Sequence, residues 1–116
     1  MKHHMKTTAG FVLSATMATA SFGATVNIGE LQGFTGPLES MIGAMSGGAN
    51  LAVTESNDSG NYLQGTIVVI QGDSKCIDPD AAIAEAERMI NDENVIAIMG
   101  PNCSGNTGAV IRNVLV

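Results

Sequence analysis

The stretch Thr66-Ile67-Val68-Val69-Ile70 decides the fold that this 116-residue sequence predicts. Four consecutive β-branched residues without polar alternation are typical of a strand buried on both faces, as in parallel sheets covered by helices. A similar run extends from Val95 to Met99, and each run is followed by a loop rich in glycine and polar residues. Both runs therefore predict buried strands of a parallel sheet.

A further strand and a helix precede this stretch. The alternating residues from Thr25 to Leu31 predict a strand that ends in a turn-rich loop, residues 32–37. Beyond Pro37, apolar residues recur at helical spacing to near Ser56, and we expect one stripe of this helix to face the core. The residues of the expected stripe are Leu38, Met41, Met45, Ala49 and Ala52.

A second helix is predicted after Asp78, which suits the N-cap position, and Pro79, which suits the first helical position. Its expected inward face consists of Ala82, Ile83, Ala86, Met89 and Ile90. A last helix follows from about Thr107. The order β-α-β-α-β-α predicts the α/β class, with an open parallel sheet, right-handed crossovers and helices on both faces. Three strands are few for such a sheet, and the sequence ends without a helix stop signal, so we expect an incomplete lobe.

Residues 1–23 have the three parts of a cleavable export signal. Lys2 and Lys6 supply the positive charge, an uncharged stretch runs from Thr7 to Ala20, and small residues suited to a signal peptidase follow. The apolar part is about a dozen residues, shorter than the roughly 20 that a helix needs to cross a bilayer. We therefore expect export without membrane insertion and a mature domain at residues 24–116. A disordered polar tail is the alternative.

The mature segment is acidic. Once residues 1–23 are removed, Lys75, Arg88 and Arg112 stand against eleven acidic residues, which leaves eight net negative charges. An acidic surface repels phosphate backbones, so nucleic acid is not expected as a partner. The segment holds no histidine, and two cysteines are too few ligands for zinc, so we expect neither a metal nor a cofactor.

The residues after the third strand, Gly100-Pro101-Asn102-Cys103-Ser104-Gly105-Asn106-Thr107, resemble a nucleotide-binding P-loop with asparagine in place of the essential lysine. Without that lysine, and outside the cytoplasm, phosphoryl chemistry is disfavoured. The unpaired N–H groups of a helix N-terminus still favour an anion, and a single carboxylate suits this loop. Ser104 could supply a hydroxyl, and Gly105 could allow close access to the main chain. Alternatively, Ser104 caps its helix.

Cys76 and Cys103 fall in loops at the same edge of the predicted sheet, the edge where open parallel sheets bind ligands. A disulfide between them is geometrically reasonable, and a reactive thiol is the alternative. Neither cysteine has a histidine base nearby in the sequence, and the sequence shows no other nucleophile–base pair. These residues therefore indicate no catalytic site, and we do not expect an enzyme.

A set of short motifs adds to this interpretation. They are Val26-Asn27-Ile28-Gly29, Thr35-Gly36-Pro37, Asp73-Ser74-Lys75-Cys76-Ile77-Asp78-Pro79, Ile90-Asn91-Asp92, Ile98-Met99-Gly100 and Cys103-Ser104. Together they resemble the first lobe of the periplasmic leucine/isoleucine/valine-binding proteins, the substrate-binding components of ABC importers for branched-chain amino acids. The resemblance covers residues 24–116 almost end to end.

The resemblance implies a type I periplasmic binding fold, in which two lobes close on a ligand, with a disulfide between Cys76 and Cys103. It also implies that Ser104 contacts the ligand carboxylate. Met41 stands four residues after Pro37, where some relatives place an aromatic residue at the ligand; its alternative is a core-facing position. Asn102 precedes Cys103 at a site where an apolar residue would suit an aliphatic ligand.

The same resemblance defines the expected function. We expect a periplasmic protein that binds an amino acid, branched-chain or similar, and presents it to the membrane permease subunits of an ABC importer. The alternatives are the ligand-sensing ectodomain of a receptor with the same fold and an exported α/β enzyme. A membrane span would identify the receptor, and turnover of the bound solute would identify the enzyme.

Overall fold

The computed structural model describes residues 23–62 and 65–115. Its strands and helices alternate as the sequence predicts: β1 (Thr25–Gln32), α1 (Glu39–Asp58), β2 (Thr66–Asp73), α2 (Pro79–Asn91), β3 (Val95–Met99) and α3 (Ser104–Asn113). Nearly all of the expected export signal lies outside the described residues, so the signal stays a prediction. Within the described part of the chain, no helix has both the length and the apolar character needed to span a bilayer.

The strands form one parallel sheet in the order β2-β1-β3, which confirms the predicted open parallel sheet. β1 and β2 pair in regular register along their whole length, up to Gln32 opposite Asp73. β3 carries one extra residue, Ile96, between the partners of Asn27 and Ile28. The predicted burial of β2 and β3 on both faces is wrong, because both are edge strands of the described sheet: Val68 is 37 %, Ile96 72 % and Met99 40 % exposed. An open, mainly apolar groove of about 500 Å³ runs beside Ile96 between β3 and α3.

Helices cover both faces of the sheet, as predicted, and the two faces differ in chemistry. Because successive side chains of a strand point to opposite faces, Leu31 faces α2 while Glu30 faces α1. The buried members of the apolar core on the α2 face are Leu31, Ala82, Ala86, Met89, Val95 and Val110. Gly29 and Gly72 let α2 approach the sheet, since an added Cβ would lie 2.8 or 2.6 Å from the Met89 side chain.

The start of α2 confirms the predicted cap. The Asp78 carboxylate accepts a hydrogen bond from the Ala81 N–H at 3.0 Å, and Pro79 is the first helical residue. Loss of such a cap typically costs about 1 kcal/mol. The inward residues are also as predicted, with Ala82, Ala86 and Met89 buried and Ile83 and Ile90 half-buried.

The predicted inward stripe of α1 is wrong. Met41 and Met45 are 59 % and 44 % exposed, whereas Ser46 is buried. Ile42 is buried on the same face as Ser46, so the inward face lies one residue along from the predicted stripe. Ser46 on this face meets a fully buried carboxyl group of β1: Glu30 accepts hydrogen bonds from Ser46 Oγ at 3.0 Å and from Gln71 Nε2 at 2.9 Å. Because a buried carboxyl group needs such partners, a serine is favoured on this face where the hydrophobic pattern favours methionine.

Side chains of α1 and α2 bind the outer edge of β2. The Asn57 amide donates to the Ile67 carbonyl at 2.9 Å and accepts from the Ile67 N–H at 2.8 Å, which mimics a neighbouring strand. The Arg88 guanidinium donates to the Gln71 carbonyl at 3.0 Å. The helix is predicted to end near Ser56, but α1 extends to Asp58, so Asn57 lies within its last turn.

Candidate functional site

Three loops meet at the C-terminal ends of the strands, which we call the C-terminal edge of the sheet. Open parallel sheets bind ligands at this edge. We name them loop 1 (residues 33–38), loop 2 (residues 74–78) and loop 3 (residues 100–103). α1 begins directly after loop 1 and α3 directly after loop 3, so two helix N-termini lie at this edge. The edge holds all of the predicted site residues: Met41, Cys76, Asn102, Cys103, Ser104 and Gly105.

Asp73, the last residue of β2, ties loop 1 to loop 2. Its carboxylate accepts hydrogen bonds from the Thr35 hydroxyl at 2.6 Å, the Thr35 N–H at 3.2 Å and the Lys75 N–H at 2.9 Å. Burial raises the pKa of Asp73, but hydrogen bonds from the Thr35 hydroxyl and from the N–H groups of Lys75, Thr35 and Phe34 outweigh it. The pKa of Asp73 is therefore lowered from its ordinary value of 3.8.

Asn102 ties loop 1 to loop 3. Its side-chain oxygen accepts a hydrogen bond from the Gly33 N–H at 3.1 Å. Gly33 fits this place because an added Cβ would lie 3.2 Å from Cys76 Cβ and 3.6 Å from the Asn102 oxygen. From the sequence, Asn102 is expected to contact the ligand and to suit an aliphatic ligand side chain poorly. In the structure, its amide oxygen is instead occupied by the main chain of loop 1.

A disulfide ties loop 2 to loop 3. Cys76 and Cys103 are bonded at an S–S distance of 2.01 Å, with their Cα atoms 5.3 Å apart. Lys75 and Cys76 both have positive φ angles, 53° and 62°, a conformation that residues other than glycine adopt infrequently. The pairing is the one that the family resemblance implies, and the reactive-thiol alternative is wrong because both sulfurs are bonded.

A second tie between loop 2 and α3 was not foreseen. The Asn106 side-chain amide donates to the Ser74 carbonyl at 2.7 Å, and both residues are almost fully buried. The sequence carries one signal of this buried hydrogen bond. Asn106 is three and four residues before the buried Ala109 and Val110, so it is a polar residue on the inward face of α3. A polar residue at such a position indicates a buried hydrogen bond.

Ser104 is the first residue of α3, and its side chain is exposed. The N-cap is Cys103, which makes no side-chain capping hydrogen bond, so Ser104 does not occupy the capping position that the alternative required. Gly105 follows in the first turn, and an added Cβ there would meet nothing within 4 Å. The hydroxyl of Ser104 and the open main chain at Gly105 thus lie together at the N-terminus of α3.

Met41 lies in the first turn of α1, after loop 1. Its side chain is 59 % exposed, which excludes the alternative that it faces the core. A flexible thioether at this edge can contact an apolar group of varied shape.

The P-loop resemblance has no counterpart in the geometry. Thr107, which would bind a metal ion in a P-loop, directs its hydroxyl at the carbonyl groups of Pro101 at 2.8 Å and Cys103 at 3.0 Å. Asn106 binds Ser74 and is buried. Among residues 23–62 and 65–115, no group of three or more His, Cys, Asp or Glu side chains is placed to hold a metal ion. What the edge offers is an exposed helix N-terminus that suits a carboxylate.

Known proteins share this sequence and fold. The chain matches the family model described as periplasmic binding protein over residues 25–115. It is similar to Leu/Ile/Val-binding protein homolog 7 of Brucella abortus (strain 2308), with 36 % identity over 109 residues, which are 94 % of this chain and 26 % of the relative. The chain thus spans about a quarter of the length of the curated relatives that it matches.

Solved structures agree with this assignment. The branched-chain amino acid transporter substrate binding protein LivJ from Streptococcus pneumoniae, in complex with isoleucine, matches with a TM-score of 0.71 and 31 % identity over 78 % of this chain and 26 % of LivJ. A possible leucine/isoleucine/valine-binding protein from Rhodopirellula baltica shares the fold, with a TM-score of 0.72 and 19 % identity over 82 % of this chain and 26 % of its own. Because the family model covers nearly the whole described chain, the chain belongs to the periplasmic binding protein family.

Proposed function

We propose that residues 24–116 form the first lobe, still incomplete, of a periplasmic solute-binding protein, and that residues 1–23 are its export signal. The protein captures an amino acid, branched-chain or similar, by closure of this lobe and a second one around the ligand. It then presents the ligand to the membrane permease subunits of an ABC importer. Its action is binding and closure, without turnover of the solute.

The observation that carries this proposal is the exposed and uncapped N-terminus of α3. There the hydroxyl of Ser104 and the main-chain N–H groups of Ser104 and Gly105 can bind a carboxylate, and the helix dipole favours its negative charge. The ties among the three loops hold these groups in place before a ligand arrives, which reduces the ordering cost of binding.

The apolar part of the ligand is assigned from Met41 and from the relatives. Met41 presents an exposed and adaptable side chain at the same edge. Asn102 gives no support for an aliphatic ligand, because its oxygen accepts from the Gly33 N–H but its buried nitrogen has no partner among the described residues. The relatives support this choice, since LivJ was solved with isoleucine and the Brucella relative is named for leucine, isoleucine and valine.

Thermal unfolding of the full-length protein with each amino acid in turn tests the ligand. Leucine, isoleucine or valine should raise the melting temperature, because a ligand that binds only the folded state stabilises it. Leucinamide, which lacks the carboxylate, should not. The absence of a shift with every amino acid would contradict the proposal, and hydrolysis or other conversion of the solute would favour the enzyme alternative.

Two serine variants test the role of Ser104. Ser104→Ala should weaken leucine binding about ten-fold, because a hydrogen bond to a charged group is worth roughly 1.5–3 kcal/mol. Ser59→Ala is the matched control, because Ser59 is exposed and lies just after α1, near the N-terminal ends of the strands. Equal affinities for the two variants in calorimetry would rule out a carboxylate contact at Ser104.

A further inference from the structure

Ser74 is held from both sides by buried hydrogen bonds. Its N–H donates to the Gln32 carbonyl at the end of β1, at 2.7 Å. Its own carbonyl accepts from the Asn106 amide, also at 2.7 Å. Ser74 is 0 % exposed and Asn106 is 1 % exposed. A continuous chain of hydrogen bonds therefore runs from β1 through loop 2 to the first turn of α3.

Asn106 and the disulfide attach α3 to loop 2 at two different points. The buried Ala109 and Val110 pack the middle of the helix against the rest of the lobe, and the disulfide holds Cys103 at the N-cap. Asn106 lies three residues further along, which is about 4.5 Å at 1.5 Å per residue. The Asn106 bond therefore holds the first turn itself against loop 2, and with it the direction of the N–H groups at the helix N-terminus.

We propose that Asn106 is a positioning residue of the site: its hydrogen bond to the Ser74 carbonyl keeps the N-terminus of α3 aligned even without the disulfide. The alignment itself depends only on the contacts above. Its consequence for ligand binding rests on the proposed function, so the two are measured separately.

The first measurement needs no ligand. The folded, full-length protein is equilibrated in buffers of reduced and oxidised glutathione, where two protein thiols are oxidised to one disulfide as one glutathione disulfide is reduced to two glutathiones. Aligned loops keep the reduced Cys76 and Cys103 close together, so their effective concentration is high. Asn106→Ala should lower that effective concentration about five-fold or more, the factor expected for one buried hydrogen bond.

Asn113→Ala is the matched control. Asn113 is the last residue of α3, and its amide donates to the Ala109 carbonyl of the same helix at 2.7 Å, so its loss does not touch loop 2. In Asn113→Ala, the effective concentration of the Cys76 and Cys103 thiols should stay within about two-fold of the wild-type value. If Asn106→Ala does not fold, Asn106→Ser repeats the comparison, with a hydroxyl too short to replace the amide. Equal values for the position 106 and position 113 variants would overturn the proposal.

The second measurement compares leucine affinity before and after reduction of the disulfide. Wild type and Asn113→Ala should change less than about three-fold, whereas Asn106→Ala should lose about ten-fold or more on reduction, because both attachments are then absent. If wild type binds no amino acid, the proposed function fails and the glutathione result still decides the role of Asn106. If Asn106→Ala binds leucine equally well in both redox states, Asn106 does not position the site.

Discussion

The hydroxyl of Ser46 on α1 donates a hydrogen bond of 3.0 Å to the carboxylate of Glu30, which lies fully buried on β1. The other carboxylate oxygen, Oε1, has no partner within the described residues. Ser46→Ala removes one of the donors to the buried Glu30 carboxyl group, so we expect the free energy of unfolding to fall by about 2 kcal/mol in urea denaturation. Ser40→Ala, at an exposed position of the same helix, should change it by less than about 0.5 kcal/mol. Similar losses in both would show that the buried contact contributes little.

Asp73 predicts a dependence of stability on pH. Its folded pKa lies below the ordinary value of 3.8, so its charged form stabilises the folded state above that pH, and the gain is lost as the pH falls through the folded pKa. Asp73→Asn should therefore lower stability at pH 7 by about 1 kcal/mol and approach wild type in strong acid. Urea unfolding between pH 2 and pH 7 measures the difference. Asp58→Asn, at the exposed end of α1, is the control, and a constant difference between Asp73→Asn and wild type at all pH values would contradict the assignment.

Substitution of Gly105 should affect ligand binding without lowering stability. An added Cβ there meets nothing within 4 Å, and alanine is the better helix former, so Gly105→Ala should leave the melting temperature unchanged or raise it. The same methyl group would stand at the proposed carboxylate contact and should weaken leucine binding at least about ten-fold, a loss of roughly 1.4 kcal/mol. Gly47→Ala in α1 meets no neighbour either and should leave affinity unchanged. Full affinity in Gly105→Ala would move the ligand away from this turn.

Gly100 is required where β3 ends. Its φ is 113°, and an added Cβ would collide with the Leu31 carbonyl oxygen. Gly100→Ala should therefore cost more than about 3 kcal/mol, since both the backbone conformation and the space are lost. Gly60 also has a positive φ, 65°, but open space around it, so Gly60→Ala should cost only about 1 kcal/mol. Chemical denaturation compares the two, and equal costs would show that the clash relaxes freely.

The order of the elements could be predicted because it depends on local signals. The aliphatic run at Ile67–Ile70 identifies a strand, but not its burial, which depends on the place of the strand at the edge of the sheet. Asp78 followed by Pro79 begins a helix through contacts within one turn. The inward face of α1 could not be predicted in the same way. Two sets of residues at helical spacing compete there: the exposed Met41 and Met45, and the buried Ile42 and Ser46. A hydrophobic pattern does not register the hydrogen bond from Ser46 to Glu30, sixteen residues away, that favours the second set.

The candidate site likewise contains residues that local signals predict and contacts that they do not. Cys76, Cys103 and Ser104 could be recognised because their residue types and their place after strands carry a chemical meaning. The bonds from Thr35 to Asp73 and from Asn106 to Ser74 join residues 38 and 32 positions apart. They exist only because parallel strands deliver their loops to one edge, so they follow from the register of the sheet and not from any one segment.

Because Asn57 and Arg88 bond to the main chain of β2, the two edge strands of the sheet differ in their capacity to pair with a further strand. Exposed strand edges recruit other strands, in proper assembly and in aggregation alike. At β2, the peptide groups of Ile67 and the carbonyl of Gln71 are already occupied by side chains, so an incoming strand would have to displace them. The β3 edge carries the bulged Ile96 and the open groove beside α3 instead. A strand that paired with β2 would thus displace these side-chain bonds, whereas no side chain of the described residues bonds to the main chain of β3.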